Sequence, residues 1–159
     1  MNENDPYRPL LRASSNDGSD PGGIRRDDDK SNQSNLAQRL TLLLVEDDPD
    51  TQAFMKVLLR RYYEVAAAAS EEEFWSVLEN ATPCLILMDV SLRGSQDGLT
   101  LTRQFRSDAK WNSVPVVALT AHATTGDRER ALAAGCAAYV SKPVDRRRLL
   151  ELIGSLIPS

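Results

Sequence analysis

Five short apolar runs, separated by stretches with helical spacing, constrain this chain more than any other feature. The first is Leu40–Val45 (LTLLLV), which stops at Glu46, Asp47 and Asp48. Tyr62–Ala67 is the second, and its alanines make it the least distinct. Cys84–Met88 (CLILM) stops at Asp89, Val116–Leu119 at Thr120, and Ala137–Ser141 at Lys142-Pro143. Runs this short and this apolar fit strands covered on both faces. The intervening segments read as helices. Asp50–Arg61 places Phe54, Val57, Leu58 and Arg61 at helical spacing, which puts Phe54 in the core. Ser70 with Glu71, Glu72 and Glu73 reads as a capping box and an acidic first turn, opening a helix that reaches Asn80. Further helices are expected over Leu99–Ser107, over Asp127–Ala134 with Gly135 as its stop, and from Asp145 to Ile157.

The pattern is (βα)5, an α/β fold with a parallel sheet covered by helices on both faces. Right-handed crossovers bring all the strand C-termini to one edge, where such sheets hold their ligands. That edge collects Glu46, Asp47 and Asp48 from the first strand, Asp89 from the third, Thr120 from the fourth and Lys142 from the fifth. Any one of these alone is an ordinary loop residue; together they converge on one spot. Clustered carboxylates need a cation, and hard oxygen donors suit Mg²⁺. A lysine and a hydroxyl beside them fit phosphoryl oxygens, and a carboxylate there can attack phosphorus.

Residues 1–37 differ. They hold five basic and seven acidic residues, clusters such as Ser14–Asn16 and Asp27–Asp29, and no apolar period. Such a segment buries too little surface to offset its ordering entropy, so a disordered N-terminal extension is expected over 1–37 and one domain over 38–159. The whole chain carries 19 basic and 23 acidic residues, which does not advertise a nucleic-acid surface. Two cysteines and a single histidine make no disulfide framework and no zinc site. Cys84 and Cys136 read as small packing residues, and Trp75 and Trp111 as helix or loop packing residues rather than a binding box. No apolar run reaches the roughly 20 residues of a membrane span, and MNENDPYRPL is not a signal peptide, so a cytoplasmic protein is expected.

The stretches LLLVEDDPD (42–50), LILMDVSLRGSQDGL (85–99), VPVVALTAHA (114–123) and AAGCAAYVSKPV (133–144) together resemble the receiver domain of bacterial two-component response regulators, in the CheY-like superfamily. The resemblance covers about residues 40–157. It implies a doubly wound, flavodoxin-like sheet in the order 2-1-3-4-5. It implies that Asp89 is the phosphoacceptor, and that Glu46 and Asp47 bind Mg²⁺ with Asp89 and the Ser91 backbone carbonyl, Asp47 being the more direct ligand. Thr120 matches the switch hydroxyl, Lys142 the family's lysine, Pro143 its following proline, usually cis, and Tyr139 the aromatic switch whose ring moves between exposed and buried. Asp48 is peripheral by the same comparison.

The family usually has a proline four residues after the acceptor; here that position is Arg93. The Asp97-Gly98 pair lies one residue late, which implies an insertion within Arg93–Gln96. His122, two residues after Thr120, lies where the family, with Ser91, tunes loss of the phosphoryl group. The implied function is a stand-alone receiver, a signalling domain that at most catalyses its own phosphorylation and dephosphorylation. Its phosphodonor would be a histidine kinase or a histidine phosphotransfer protein. Its target would be a protein docking on the last two strand–helix units, where Arg146, Arg147 and Arg148 read either as a solvated face or as a partner-binding patch. No nucleic acid or membrane is implied, and the state is a monomer or weak dimer. Three rivals stay open: the C-terminal receiver of a hybrid kinase, a receiver-like module that binds without phosphorylation, and a Mg²⁺-dependent phosphatase. The last typically needs a second acid at the position of Ser91.

Overall fold

The computed structural model describes residues 39–94, 96–122 and 124–157. The expected extension over 1–37 lies outside the described residues. In chain order the elements are β1 (Thr41–Val45), α1 (Pro49–Leu59), β2 (Glu64–Ala68), α2 (Glu71–Asn80), β3 (Leu85–Asp89), α3 (Gly98–Ser107), a short 3₁₀ turn (Ala109–Trp111), β4 (Val116–Thr120), α4 (Thr125–Ala134), β5 (Ala138–Ser141) and α5 (Arg146–Leu156). The five strands form one parallel sheet in the order β2-β1-β3-β4-β5. This is the expected doubly wound (βα)5 architecture.

Side chains alternate across the sheet, as strand geometry requires. Leu43, Val45, Ile86, Met88, Val116, Ala118 and Tyr139 face one side and meet Phe74, Leu78, Leu101 and Phe105 from α2 and α3, with Ala131 of α4. Leu42, Leu44, Leu85, Leu87, Val117, Leu119 and Val140 face the other and meet Met55, Leu58 and Leu59 of α1 and Leu149, Leu152 and Ile153 of α5. Burial on both faces explains why the strands read as continuous apolar runs.

Each helix opens on a side chain that accepts a backbone N–H. Asp48 caps α1 through Thr51 N at 2.7 Å, Asp97 caps α3 through Thr100 N at 2.8 Å, and Asp145 caps α5 through Arg148 N at 2.9 Å. The Asp48 bond to Thr51 holds its carboxyl below the usual aspartate range. Helix α4 closes at Gly135, whose φ of 94° lies in the left-handed region that favours glycine.

Several local expectations are corrected. Phe54 is not core: it is 55% exposed, and Val57 is 60% exposed. The face of α1 against the sheet carries Met55, Leu58 and Leu59, a stripe that shares only Leu58 with the expected one. The Ser70 box is half formed. Ser70 Oγ accepts from Glu73 N, but the Glu73 carboxylate accepts from Ala69 N, one residue before the cap. A complete box sits instead at α4, where Thr124 and Asp127 exchange bonds, so that helix starts before Asp127. The second strand begins at Glu64 rather than Tyr62, because Tyr62 and Tyr63 close α1 by donating their N–H groups to Leu59 O.

Candidate functional site

The C-terminal ends of β1, β3, β4 and β5 lie side by side along one edge of the sheet, and the residues at or just after those ends supply its chemistry. Glu46 and Asp89 are buried, 1% and 3% exposed. One carboxylate oxygen from each of Glu46, Asp47 and Asp89 lies within 4.8 Å of the other two. Lys142 reaches in from the end of β5, with Nζ 2.7 Å from Glu46 Oε2 and 3.2 Å from Asp89 Oδ1. The Lys142–Pro143 bond that follows is cis.

Glu46 is held at both oxygens, since Oε1 accepts the Asp48 N–H at 3.1 Å while Oε2 takes Lys142. Gln52 of α1 donates to the Glu46 carbonyl at 2.6 Å and ties the helix to this corner. Burial raises the Glu46 pKa above the usual glutamate value; the bonds from Lys142 and Asp48 offset only part of this, and the Asp89 charge adds to it. Burial works against the Lys142 charge, but the Glu46 and Asp89 carboxylates outweigh it and hold the ammonium pKa above the ordinary lysine value.

Asp89 ends β3. Its Oδ1 accepts the Ser91 N–H at 3.2 Å and faces Lys142, whereas Oδ2 has no partner among the described residues. Gly98 opens α3 directly against this strand end: its N–H donates to Val90 O at 3.2 Å, and a Cβ there would collide with the Asp89 carbonyl. The close approach is what the Asp97-Gly98 pair provides. Asp47 Oδ2 accepts the Arg93 N–H at 3.0 Å from the loop after β3. Arg93 Nε lies 3.8 Å from the same oxygen.

Thr120 is buried at the end of β4. Its Oγ1 donates to His122 O at 2.8 Å and accepts from His122 N at 3.1 Å, so the hydroxyl is engaged with its own loop. Tyr139 is buried in the sheet face shared with α2 and α3, the inward one of the two expected rotamers. The Asp48 carboxylate is engaged as the cap of α1. Cys136 is buried and its thiol is pushed up to about 11, which makes it inert at neutral pH.

Sequence reading missed the Arg93–Asp47 contact, which joins residues 46 positions apart. It also missed Gln52 as the clamp on Glu46. A polar residue on the first turn and a half of α1 was the available signal.

Three carboxylates facing Lys142, with the exposed Arg93 guanidinium 3.8 Å from Asp47, still leave a surplus of negative charge in a set of hard oxygen donors. That composition fits a divalent cation such as Mg²⁺. A carboxylate with one oxygen unengaged beside a half-buried lysine also fits nucleophilic attack on phosphorus.

The family model described as the response regulator receiver domain matches residues 42–154. The polar-differentiation response regulator DivK of Brucella ovis is 43% identical over 75 residues, which make up 47% of this chain and 60% of that protein. Response regulator Rre1 of Synechocystis is 36% identical over 85 residues, 54% of this chain and 36% of that protein. The chain therefore spans between about a third and three-fifths of the length of these relatives. A solved receiver domain, from the sensor histidine kinase PA1611 of Pseudomonas aeruginosa, has a magnesium ion coordinated in its active-site cleft. It is 36% identical with a TM-score of 0.69, over 77% of this chain and all of that one. A CheY-like receiver domain protein from Methanospirillum hungatei is 29% identical with a TM-score of 0.66, over 74% of this chain and 93% of that one.

Proposed function

This chain belongs to the response regulator receiver domain family of two-component signalling, and from that premise we propose that it accepts a phosphoryl group on Asp89 and so switches the binding of a partner. Receivers of this kind are signalling domains rather than conventional enzymes. The observation that carries the reading is the meeting of Glu46, Asp47, Asp89 and Lys142 at one pocket.

In this reading the unengaged Asp89 oxygen attacks phosphorus, and an O–P bond forms there as the donor's P–N bond breaks. The donor is a phosphohistidine on a sensor kinase or a histidine phosphotransfer protein. Asp47, Asp89, Glu46 and the Ser91 carbonyl would hold Mg²⁺, which when bound offsets the negative charge shared by the carboxylates and the phosphoryl oxygens. Lys142 balances the charge of the product. Thr120 leaves His122 to donate to a phosphoryl oxygen, and Tyr139 carries the change toward α4, β5 and α5, where the downstream protein docks.

The exposed side chains of α1 support a place for the donor. Phe54 lines a cavity of about 290 Å³ together with Lys142, Pro143 and Val144, at the rim of the pocket. Large exposed apolar residues beside a reactive site mark a docking surface. The receiver is taken to occupy residues 38–159, with 1–37 as an extension to it. Among the described residues no helix is long and apolar enough to cross a membrane, and a cytoplasmic site of action fits this reading. The likeness to the PA1611 receiver favours a second reading, in which the domain serves a histidine kinase; the length of the full gene decides between them.

Intact mass after incubation with acetyl phosphate tests the reading. One phosphoryl group is expected on the wild type with Mg²⁺, and none without Mg²⁺ or on Asp89→Asn. Absence of an adduct, together with no binding of beryllofluoride, would overturn it in favour of a module that binds without phosphorylation.

A further inference from the structure

The loop after β3 places a cation on the one pocket carboxylate that Lys142 is not seen to reach. Lys142 Nζ pairs with Glu46 and Asp89. Asp47, the third carboxylate, takes the Arg93 backbone N–H at 3.0 Å and has the guanidinium Nε at 3.8 Å, both on Oδ2. Three acids thus face two basic side chains, and one negative charge remains. A proline at position 93 would supply neither contact, since it has no N–H and no charge.

From this we propose that Arg93 is a built-in competitor for the metal site: its charge, held against Asp47, sets how tightly a divalent cation binds there. The proposal rests on the reading of Glu46, Asp47 and Asp89 as the metal-binding acids. A dication drawn to Asp47 meets a guanidinium already paired with the same oxygen. With both in place, the pocket would pass from a net negative charge to a net positive one. Electrostatics therefore favours one or the other on Asp47. The guanidinium is the one free to leave, because the Arg93 side chain is 87% exposed while that of Asp47 is 14% exposed. Release moves a long side chain into water, which costs little, so the competition is graded rather than absolute. The backbone N–H bond does not depend on the side chain and persists in any variant but proline. A substitution at Arg93 therefore isolates the charge.

Calorimetric titration with Mg²⁺ tests this on the full chain, comparing wild type, Arg93→Gln and Arg93→Lys, with Asp47→Asn as the variant that should lose binding. At low ionic strength Arg93→Gln is expected to bind Mg²⁺ about two- to tenfold more tightly than wild type, the range that a unit charge at this distance near water supports. Arg93→Lys should stay close to wild type, because the charge is kept. The gap between wild type and Arg93→Gln should close at high salt, where exposed charges are screened. Equal affinity of wild type and Arg93→Gln at low salt would overturn the role of Arg93 and leave the metal site standing. No Mg²⁺ binding by any of the proteins would overturn the metal site and this proposal together.

Discussion

Lys142 Nζ lies 2.7 Å from Glu46 Oε2, although the two residues are 96 positions apart in the chain. The contact ties the end of β5 to the end of β1 across the intervening strands β3 and β4. It also neutralises a carboxylate that is almost wholly removed from water.

Removing that cation should cost stability. In Lys142→Met, Glu46 and Asp89 would face each other without it. Breaking a fully buried pair costs about 3–5 kcal/mol, and partial exposure of Lys142 reduces this to about 2 kcal/mol. Urea denaturation without Mg²⁺ measures it. The pH dependence has a definite sign. Glu46 already has a raised pKa, so the folded state holds its proton more tightly than the unfolded chain. Loss of Lys142 raises it further, and the variant should regain stability as pH falls from 7 toward the ordinary glutamate value of 4.5. The Lys142 contribution in the wild type is full below 10.5 and is lost as pH rises through its elevated value. A variant as stable as wild type at pH 7 would show that the pair adds nothing to the fold.

Gly98 and Gly154 make a matched pair. A Cβ on Gly98 meets the Asp89 carbonyl, whereas a Cβ on Gly154 meets nothing within 4 Å. Gly98→Ala should therefore push α3 off the end of β3, at a cost of about 1–3 kcal/mol, and slow labelling by acetyl phosphate. Gly154→Ala lies on an exposed turn of α5 and should stabilise by up to about 1 kcal/mol with labelling unchanged. Denaturation midpoints and labelling rates on both proteins check this. Equal behaviour of the two would show that the close approach at Asp89 is not needed.

Thr120 and His122 predict a spectroscopic signature. Oγ1 both donates to and accepts from the His122 backbone, so it must leave two hydrogen bonds to reach a phosphoryl group. Loss of one net hydrogen bond of about 1 kcal/mol corresponds to roughly fivefold faster amide exchange. In the free protein, Thr120→Val should show that increase at His122 and Thr120→Ser should not. Beryllofluoride with Mg²⁺ should alter exchange there in wild type and Thr120→Ser, and leave Thr120→Val unchanged. Response to the fluoride in Thr120→Val would remove the hydroxyl from the relay.

The architecture and the convergence of acids were legible because both depend on short-range pattern. Apolar runs of strand length announce burial on both faces, and a parallel sheet sends their polar ends to one edge. Features that depend on where a helix sits, or on a loop's path, were not legible. The spacing of Phe54, Val57, Leu58 and Arg61 fits a helix as well as the observed stripe of Met55, Leu58 and Leu59; only docking against the sheet picks the second. The 3₁₀ turn at Ala109–Trp111 is too short to carry a period. Its one buried residue, Trp111, stacks on Phe105. The Arg93 contact with Asp47 depends on the fold of a loop whose composition specifies no single path. The capping box at Thr124 and Asp127 was available in the sequence, but taking Asp127 as the helix start hid it.

The exposure of Phe54 yields the prediction that most directly separates structure from signalling. A core phenylalanine replaced by alanine costs about 3–5 kcal/mol, whereas an exposed one usually changes stability by no more than about 0.5 kcal/mol. Phe54→Ala should therefore unfold at nearly the wild-type urea concentration. Its labelling by acetyl phosphate should also be unchanged, because that donor is too small to touch α1. Transfer from a phosphorylated histidine phosphotransfer protein should slow by about tenfold or more, the cost of removing an aromatic anchor from an interface. Val57→Ala, on the same exposed face, should show a smaller slowing in the same direction. Equal rates from the protein donor in wild type and Phe54→Ala would place the donor on another face. A large loss of stability would mean that the ring packs more tightly than its exposure implies.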